Sequence, residues 1–119
     1  MIKGIRLASI WSQDVKNLLP FYRDTVGLTA NEAAPGFVVL NGAEGPALAI
    51  GTHSDVHGKN TDPARHIVSL SVDDCAAEYA RLKAAGVDFI ETPNRPGPNA
   101  PMIATFRDPE GNLIQLAQF

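Results

Sequence analysis

The chain has 119 residues, of which 45% are hydrophobic and 19% are charged, a composition that suits one globular domain with a modest core. Its net charge is −3 and no basic run occurs, so neither nucleic acid nor an anionic membrane is an expected partner. Cys75 is the one cysteine, which excludes a disulfide within the chain. No apolar run approaches the ~20 residues that span a bilayer. Residues 1–4 lead straight into a strand pattern without a signal-peptide layout, and we therefore expect a cytoplasmic protein.

The first half of the sequence predicts a strand, a helix and three short strands. Residues 5–12 alternate in polarity, as a half-buried strand does. Asp14 is a good N-cap, and the apolar residues after it recur at helical spacing as far as Gly27, which would end the helix. Pro20 lies inside this helix and lacks a backbone donor, so we expect a kink there. The three short strands are predicted at residues 29–32, 36–40 and 46–50.

The second half repeats this order of elements after a polar, Gly-containing segment, residues 51–63, that predicts a linker. Asp73 and Asp74 offer caps for a helix that Gly86 ends. Around this helix the sequence predicts strands at residues 65–72 and 87–91, a Pro-rich loop at 92–101 and a hairpin of strands 102–107 and 112–118.

The two halves are therefore interpreted as repeats of one βαβββ unit, at about residues 1–51 and 64–119. Asp14 and Asp74 begin the two helices at equivalent positions. The equivalent turns are Glu44-Gly45 and Glu110-Gly111. One such unit cannot cover both faces of its own small sheet, so we expect an α+β protein with two curved sheets, helices outside and a cleft inside.

Three motifs in this order resemble the vicinal oxygen chelate superfamily, which includes glyoxalase I, bleomycin-resistance proteins and extradiol dioxygenases. They are Asp14 with Phe21-Tyr22-Arg23-Asp24 and Gly27-Leu28, then Val72-Asp73-Asp74 with residues 82–87, then Asp108-Pro109-Glu110-Gly111-Asn112. The resemblance implies a single domain over residues 1–119, in which two βαβββ modules form an open, U-shaped cleft. It also implies a homodimer. It does not imply one activity, because the superfamily changes its chemistry on one scaffold.

Metal enzymes of this superfamily take ligands from four strand positions, which the resemblance places here at Leu7, Ala49, Ile67 and Gln115. Leu, Ala and Ile have no side-chain donor, whereas a divalent cation needs about three protein ligands. We therefore expect no metal cofactor. The alternative is a divalent metal held through Gln115 and His66, if the strand register turns His66 inward.

The other histidines fall in the predicted linker. His53 and His57 have the spacing that could chelate a metal on a helix, with Asp55 between them. The surrounding Gly, Ser and Thr residues favour a loop, so we interpret this segment as a solvated linker, with an adventitious metal site as the alternative.

A binding surface is predicted on the strand face that carries the four positions used by the metal enzymes. Its residues are Leu7, Ser9, Trp11, Ala49, Ile67, Ser69, Ser71, Leu113 and Gln115. Apolar walls with a few polar groups suit a small organic molecule, and Trp11 offers it a flat ring and an N–H donor. Trp11 could equally be plain core packing, and the serines could be small fillers.

The same strand positions hold no Asp, Glu, Lys or His, so acid–base catalysis would need a loop residue. Arg95 and Asn94 in the Pro-rich loop could hold an anion there. Asp108 and Glu110 are interpreted as turn-formers.

The leading hypothesis from the sequence is a small-molecule-binding protein of this superfamily that works without a metal. The alternatives are an enzyme, such as a lyase, isomerase or dioxygenase-like protein, and a structural or regulatory dimer.

Overall fold

The computed structural model describes residues 1–41 and 45–119 of the chain. It divides into two compact units, Met1–Gly58 and Lys59–Phe119. Each unit contains one four-stranded sheet and its own helical segments. The predicted α+β class with two βαβββ modules is thus confirmed, whereas the repeat boundaries at residues 51 and 64 stay a prediction. Among the described residues no helix combines the length and the hydropathy of a membrane span.

The sheet of the first unit is mixed. Its strands are β1 Leu7–Ser12, β2 Ala30–Ala34, β3 Phe37–Leu40 and β4 Ala47–Thr52. Their order is β1-β4-β3-β2, with β1 parallel to β4 and the other neighbours antiparallel. The strand predictions agree with these bounds within two residues. The predicted turn at Glu44 lies outside the described residues.

The predicted first helix is instead two short segments. The Asp14 side chain accepts a hydrogen bond from the Lys16 N–H and caps a 3₁₀ turn, Val15–Asn17. A π-helix, Phe21–Val26, follows Pro20 and ends at Gly27 with φ 94°. Because Pro20 has no N–H, a continuous α-helix would lose one bond of its ladder there. The chain changes to wider turns instead, and the Gly27 N–H bonds to the Tyr22 carbonyl oxygen at 3.2 Å.

The core of the first unit lies on one face of its sheet. Val38 pairs with Ile50 and Leu40 with Leu48, so these four side chains share a face, and each is at most 4% exposed. The 3₁₀ turn is on the same side, because the Val15 N–H donates to Thr52 Oγ1 at 2.9 Å. Other side chains buried in this unit are those of Leu18 and Tyr22.

The second unit repeats the arrangement with a regular α-helix. Its elements are β5 Val68–Ser71, α1 Cys75–Ala84, β6 Asp88–Asn94, β7 Met102–Arg107 and β8 Leu113–Gln118. The strand order is β5-β8-β7-β6, with β5 parallel to β8. The hairpin prediction agrees closely, but β6 continues through Thr92, Pro93 and Asn94, which the sequence assigned to the Pro-rich loop.

Helix α1 packs on the sheet of the second unit through aromatic rings. The Asp74 side chain caps its N-terminus by accepting from the Ala77 N–H at 3.1 Å. Tyr79 meets Phe89 of β6 at 4.7 Å between ring centroids, and Phe89 meets Phe106 of β7 at 5.3 Å. Phe106 and its β8 neighbour Ile114 are fully buried, so this face forms the second core.

The turn between β7 and β8 is organised by one carboxylate. Asp108 is buried, and its side chain accepts from the Glu110 N–H at 2.9 Å, the Asn112 N–H at 3.0 Å and Asn112 Nδ2 at 2.8 Å. Gly111 takes a φ of 82°, which suits glycine. The linker is tied to this turn, since the Asn60 N–H donates to the Glu110 carbonyl oxygen at 2.9 Å. The prediction of Asp108 as a turn-former is confirmed.

Candidate functional site

Each sheet has one face against its helical segment and one face opposite, which we call the open face. On β1 the open face carries Leu7, Ser9 and Trp11, all exposed, while Ala8 and Ile10 between them are partly covered. On β5 it carries Ser69 and Ser71, again exposed between less exposed neighbours. The predicted sidedness therefore agrees for β1 and for Ser69 and Ser71 of β5. The strand predicted at residues 65–72 is shorter than expected, because β5 begins at Val68 and Ile67 precedes it.

Trp11 lies flat across the open face of the first sheet. Pairing places Trp11 beside Gly51 of β4, and Gly51 beside Phe37 of β3. The Trp11 and Phe37 rings stack at 5.6 Å with 23° between their planes. The His53 ring meets Trp11 edge-on at 5.5 Å. Trp11 nevertheless stays 40% exposed, so one side of this aromatic platform is accessible to a ligand.

Gly51 makes this arrangement possible because it has no side chain. A Cβ at this position would lie 2.6 Å from Cζ3 of Trp11, far inside van der Waals contact. The sequence predicted Trp11 as a flat surface but assigned Gly51 to the linker, did not select Phe37, and considered His53 only as a possible metal ligand. Only the pairing of β1, β4 and β3 brings these residues together, and a single sequence does not fix that pairing.

The four positions that metal enzymes of the resembled superfamily use do not fit a metal here. Leu7 and Ile67 are apolar and about two-fifths exposed, at 39% and 42%, and Ala49 is fully buried. Gln115 carries the one side-chain donor group among the four, and its Oε1 already accepts the Ser69 hydroxyl at 3.1 Å. Three positions without any ligand atom cannot complete the coordination of a divalent cation.

Gln115 belongs to a row of polar side chains that crosses all four strands of the second sheet. Ser69 pairs with Gln115, Gln115 with Thr105, and Thr105 with Glu91. The Thr105 hydroxyl donates to Glu91 Oε1 at 3.3 Å, so both side chains are on the same face. We call these four residues the polar row.

Glu91 corrects one expectation from the sequence. Strict alternation in β6 would place Glu91 on the same face as Phe89, against the helix. The register shifts between Phe89 and Glu91, so that a bulge turns the carboxylate to the open face. The open face of the second sheet therefore does hold an acidic group, which the sequence did not predict because nothing in the local pattern marks the bulge.

The loop candidates are held by their own backbone. Arg95 is exposed and its guanidinium donates to the Ala100 carbonyl oxygen, while Asn94 Nδ2 donates to the Thr92 carbonyl oxygen at 2.9 Å. These contacts hold the loop in shape. A role for Arg95 in holding an anion stays a prediction, as do the roles of Leu113, which is 7% exposed, and Ser71.

The histidines are at the surface. His66 is exposed at the end of a 3₁₀ turn, Pro63–Arg65, and His57 is exposed in the linker. His53 Nδ1 accepts a hydrogen bond from the Asp55 N–H at 3.1 Å, which stabilises the local turn at residues 53–55. No group of three or more His, Cys, Asp and Glu side chains within residues 1–41 and 45–119 is arranged to hold a metal ion.

Two buried groups lie apart from these surfaces. Cys75 is fully buried at the start of α1, and burial raises the pKa of its thiol, with the Asp74 carboxylate adding to the effect. A thiolate nucleophile is therefore disfavoured at this position. Glu110 is 9% exposed, and its Oε1 has no hydrogen-bond partner among the described residues.

A family model of the Glyoxalase/Bleomycin resistance protein/Dioxygenase superfamily matches residues 4–116. The chain belongs to this superfamily. The resemblance inferred from the three sequence motifs is thereby confirmed. No curated protein matches the chain.

Solved structures of the superfamily fold extend over almost the whole chain. TnmS3, an antibiotic binding protein from Streptomyces sp. CB03234, is 26% identical, with a TM-score of 0.76 over 98% of this chain and 96% of that one. A superfamily member from Sphaerobacter thermophilus DSM 20745 is 25% identical, with a TM-score of 0.75 over 99% and 98% of the two chains. Lactoylglutathione lyase from Agrobacterium tumefaciens is 19% identical, with a TM-score of 0.74 over 98% and 94%, and this likeness shows the fold alone.

Proposed function

We propose that this protein binds a small, partly apolar organic molecule on an open sheet face and does so without a metal. The observation that carries the proposal is Trp11, whose ring lies over Gly51 and against Phe37 yet stays 40% exposed. A ring fixed in this way loses little conformational freedom when a planar ligand stacks on it.

The chemistry of each open face, taken by itself, supports this proposal. Around Trp11 the first sheet presents the Phe37 ring and, on the strand of Trp11, the apolar Leu7 and the small polar Ser9. The second sheet presents the polar row, which supplies hydrogen-bonding groups. Mostly apolar surfaces with few polar groups are the usual composition of small-molecule sites. The likeness to TnmS3, an antibiotic binding protein, supports a ligand of this kind.

Independence from a metal rests on residue chemistry. Leu7, Ala49 and Ile67 supply no ligand atom, and the fourth position, Gln115, is a neutral amide. A dication among aliphatic side chains would keep too few ligands to offset its desolvation. Elemental analysis of tag-free protein should find well under about 0.1 equivalent of any transition metal per chain. One equivalent of metal that disappears in Gln115→Ala would contradict the proposal.

The binding test uses Trp11 as its own reporter, because it is the chain's one tryptophan. Titration with a panel of planar antibiotics and aromatic metabolites should give a saturable change in emission for at least one compound. The Gly51→Ala variant, in which the Trp11 ring must move, should bind that compound more weakly. A panel with no emission change and no calorimetric heat would overturn the proposal.

A second candidate function is favoured by Glu91. Its carboxylate on the open face is a group that general acid–base catalysis requires. The protein would then be a lyase or isomerase acting on the bound compound. Slow conversion of a bound panel compound, abolished in Glu91→Gln, would establish this candidate, and unchanged ligand after long incubation would exclude it.

The proposal includes a cytoplasmic homodimer, the assembly that the sequence resemblance implies. Light scattering of purified protein should give a mass of about two chains at micromolar concentration. A mass of one chain across the accessible concentration range would contradict this part of the proposal without affecting the binding test.

A further inference from the structure

The polar row on the second sheet is divided into two hydrogen-bonded pairs. Ser69 donates its hydroxyl proton to Gln115 Oε1 at 3.1 Å, and Thr105 donates its own to Glu91 Oε1 at 3.3 Å. Both hydroxyl donors are used within the row. The groups left to hydrogen-bond a ligand are therefore the amide nitrogen of Gln115 and the second carboxylate oxygen of Glu91.

Gln115 has an unused hydrogen-bond donor, and Glu91 has an unused hydrogen-bond acceptor. In the hydrogen bonds among the described residues, the side chains of Gln115 and Glu91 each take part through Oε1 alone, which leaves the Gln115 amide nitrogen and the second Glu91 oxygen without a partner there. The amide offers two N–H donors and the carboxylate offers acceptor sites only. The two residues are two strands apart, which places their backbones about 10 Å from each other.

The charge of Glu91 is also unpaired. None of the ion pairs among the described residues includes Glu91. Arg107, on the open face of the neighbouring strand, is paired with Asp88 at 3.0 Å. Glu91 is exposed, so its carboxylate is accessible from solvent.

The bulge in β6 makes this placement specific. Without the register shift between Phe89 and Glu91, the carboxylate would face the helix. With it, Thr105, which is only 5% exposed, donates its hydroxyl to one carboxylate oxygen of Glu91. Bulges that re-aim a side chain in this way are common next to functional sites.

We propose that the polar row recognises a protonated amine on the ligand, with Glu91 accepting a charge-assisted hydrogen bond from the ammonium group. Gln115 donates its amide N–H to a carbonyl or hydroxyl oxygen elsewhere on the same ligand. This inference rests on the proposed function and narrows it to cationic, amine-bearing molecules. An anionic ligand is disfavoured because Glu91 would repel it.

The test follows the side-chain amide resonances of Gln115 by NMR during titration with two probes. Benzylamine carries the charge at neutral pH, and N-acetylbenzylamine has the same ring without it. Benzylamine should shift these resonances saturably and bind at least about fivefold more tightly than the acetylated probe. Raising the salt concentration should weaken the binding of benzylamine but leave the binding of N-acetylbenzylamine unchanged.

Two variants separate the site from a general effect of charge. Glu91→Gln keeps the shape of the side chain and should reduce benzylamine binding to that of the acetylated probe. Glu78→Gln removes the same charge from α1, where Glu78 is paired with Arg81 at 2.8 Å, and should leave benzylamine binding unchanged. Because Glu91 is exposed, its isosteric variant should fold normally, which dispersed amide spectra would verify.

Equal binding of the two probes, no shift at Gln115, or unaltered benzylamine binding in Glu91→Gln would each overturn the inference. If the Trp11 panel still yields a binder in that case, the proposed function stands and only the amine specificity is wrong. If benzylamine binds through Glu91 but no panel compound affects Trp11, the reverse holds: the polar row is a site and the aromatic platform is not.

Discussion

Trp11 lies flat because the residue beside it on β4 has no side chain. Gly51 leaves room for the indole ring, Phe37 stacks on it, and His53 borders it edge-on. The aromatic platform is therefore determined by three neighbours that are distant in sequence. The exposed remainder of the ring, at 40%, is the part that a ligand can cover.

Gly51→Ala should disrupt this platform. The added Cβ would lie 2.6 Å from Trp11, so the ring must move, and overpacking of this kind costs about 1–3 kcal/mol of unfolding free energy. Tryptophan emission should shift to longer wavelength. Gly97→Ala is the matched control, because a Cβ there meets nothing within 4 Å. An unchanged emission spectrum and denaturation midpoint in Gly51→Ala would contradict the geometry.

Cys75 should give the stability a dependence on alkaline pH. Burial, and then the nearby Asp74 carboxylate, raises the pKa of its thiol above that of an unfolded thiol. The folded state therefore holds this proton more tightly. The stabilisation is fully present below the pKa of the unfolded thiol and is lost as pH rises through the higher pKa of the folded thiol. Urea unfolding of the wild type and Cys75→Ala across that range should show a decline in the wild type that the variant lacks.

At the scale of elements, the turn between β7 and β8 and the bulge in β6 place the polar row. The turn fixes the register that sets Gln115 beside Thr105, and the bulge brings Glu91 to the same face. The turn depends on Asp108, whose buried carboxylate accepts three hydrogen bonds.

Asp108→Ala should cost about 3 kcal/mol of unfolding free energy, because the Asn112 and Glu110 N–H groups lose a charged acceptor in a partly buried turn. Chemical denaturation measures this directly. Asp62→Ala provides the control, since Asp62 forms an ion pair whose side chains are 63–71% exposed, and the change there should stay below about 0.5 kcal/mol. Equal losses in the two variants would contradict the assigned role of Asp108.

The sequence predicted elements well where local chemistry decides them. The hairpin around Gly111 was found because Asp-Pro-Glu-Gly is a turn sequence between two apolar alternations. The start of α1 was found from its cap, Asp74. The position of the first helix was predicted correctly, but its division into a 3₁₀ turn and a π-helix was not. The conformation around Pro20 depends on packing as well as on the missing backbone donor.

Only part of the candidate site could be predicted from the sequence, because the other part depends on how the strands pair. Gln115 was selected because the superfamily resemblance points to its position, and Trp11 because strand alternation puts it on the same face as Leu7. Glu91 was missed because a bulge breaks alternation without changing the pattern of residues. Phe37 and Gly51 were missed because their contact with Trp11 depends on which strands pair, which is a property of the whole sheet.

At the scale of the whole molecule, the two modules of this superfamily member have one plan and different surfaces. The open face of the first sheet carries an aromatic platform, and that of the second carries the polar row. The positions that would hold a metal in other members are aliphatic at Leu7, Ala49 and Ile67. Superfamily membership fixes the fold, whereas the function depends on the side chains that the fold presents, and those at these positions supply no ligand atom for a metal.

Metal-independent binding at Trp11 is tested most directly by a calorimetric titration of the best compound from the Trp11 panel, with and without a metal chelator. We expect about one compound bound per chain, with the same affinity in chelator, and at least about tenfold weaker binding in Trp11→Ala. Binding that disappears in chelator and returns with added divalent metal would contradict the central claim, as would full affinity in Trp11→Ala.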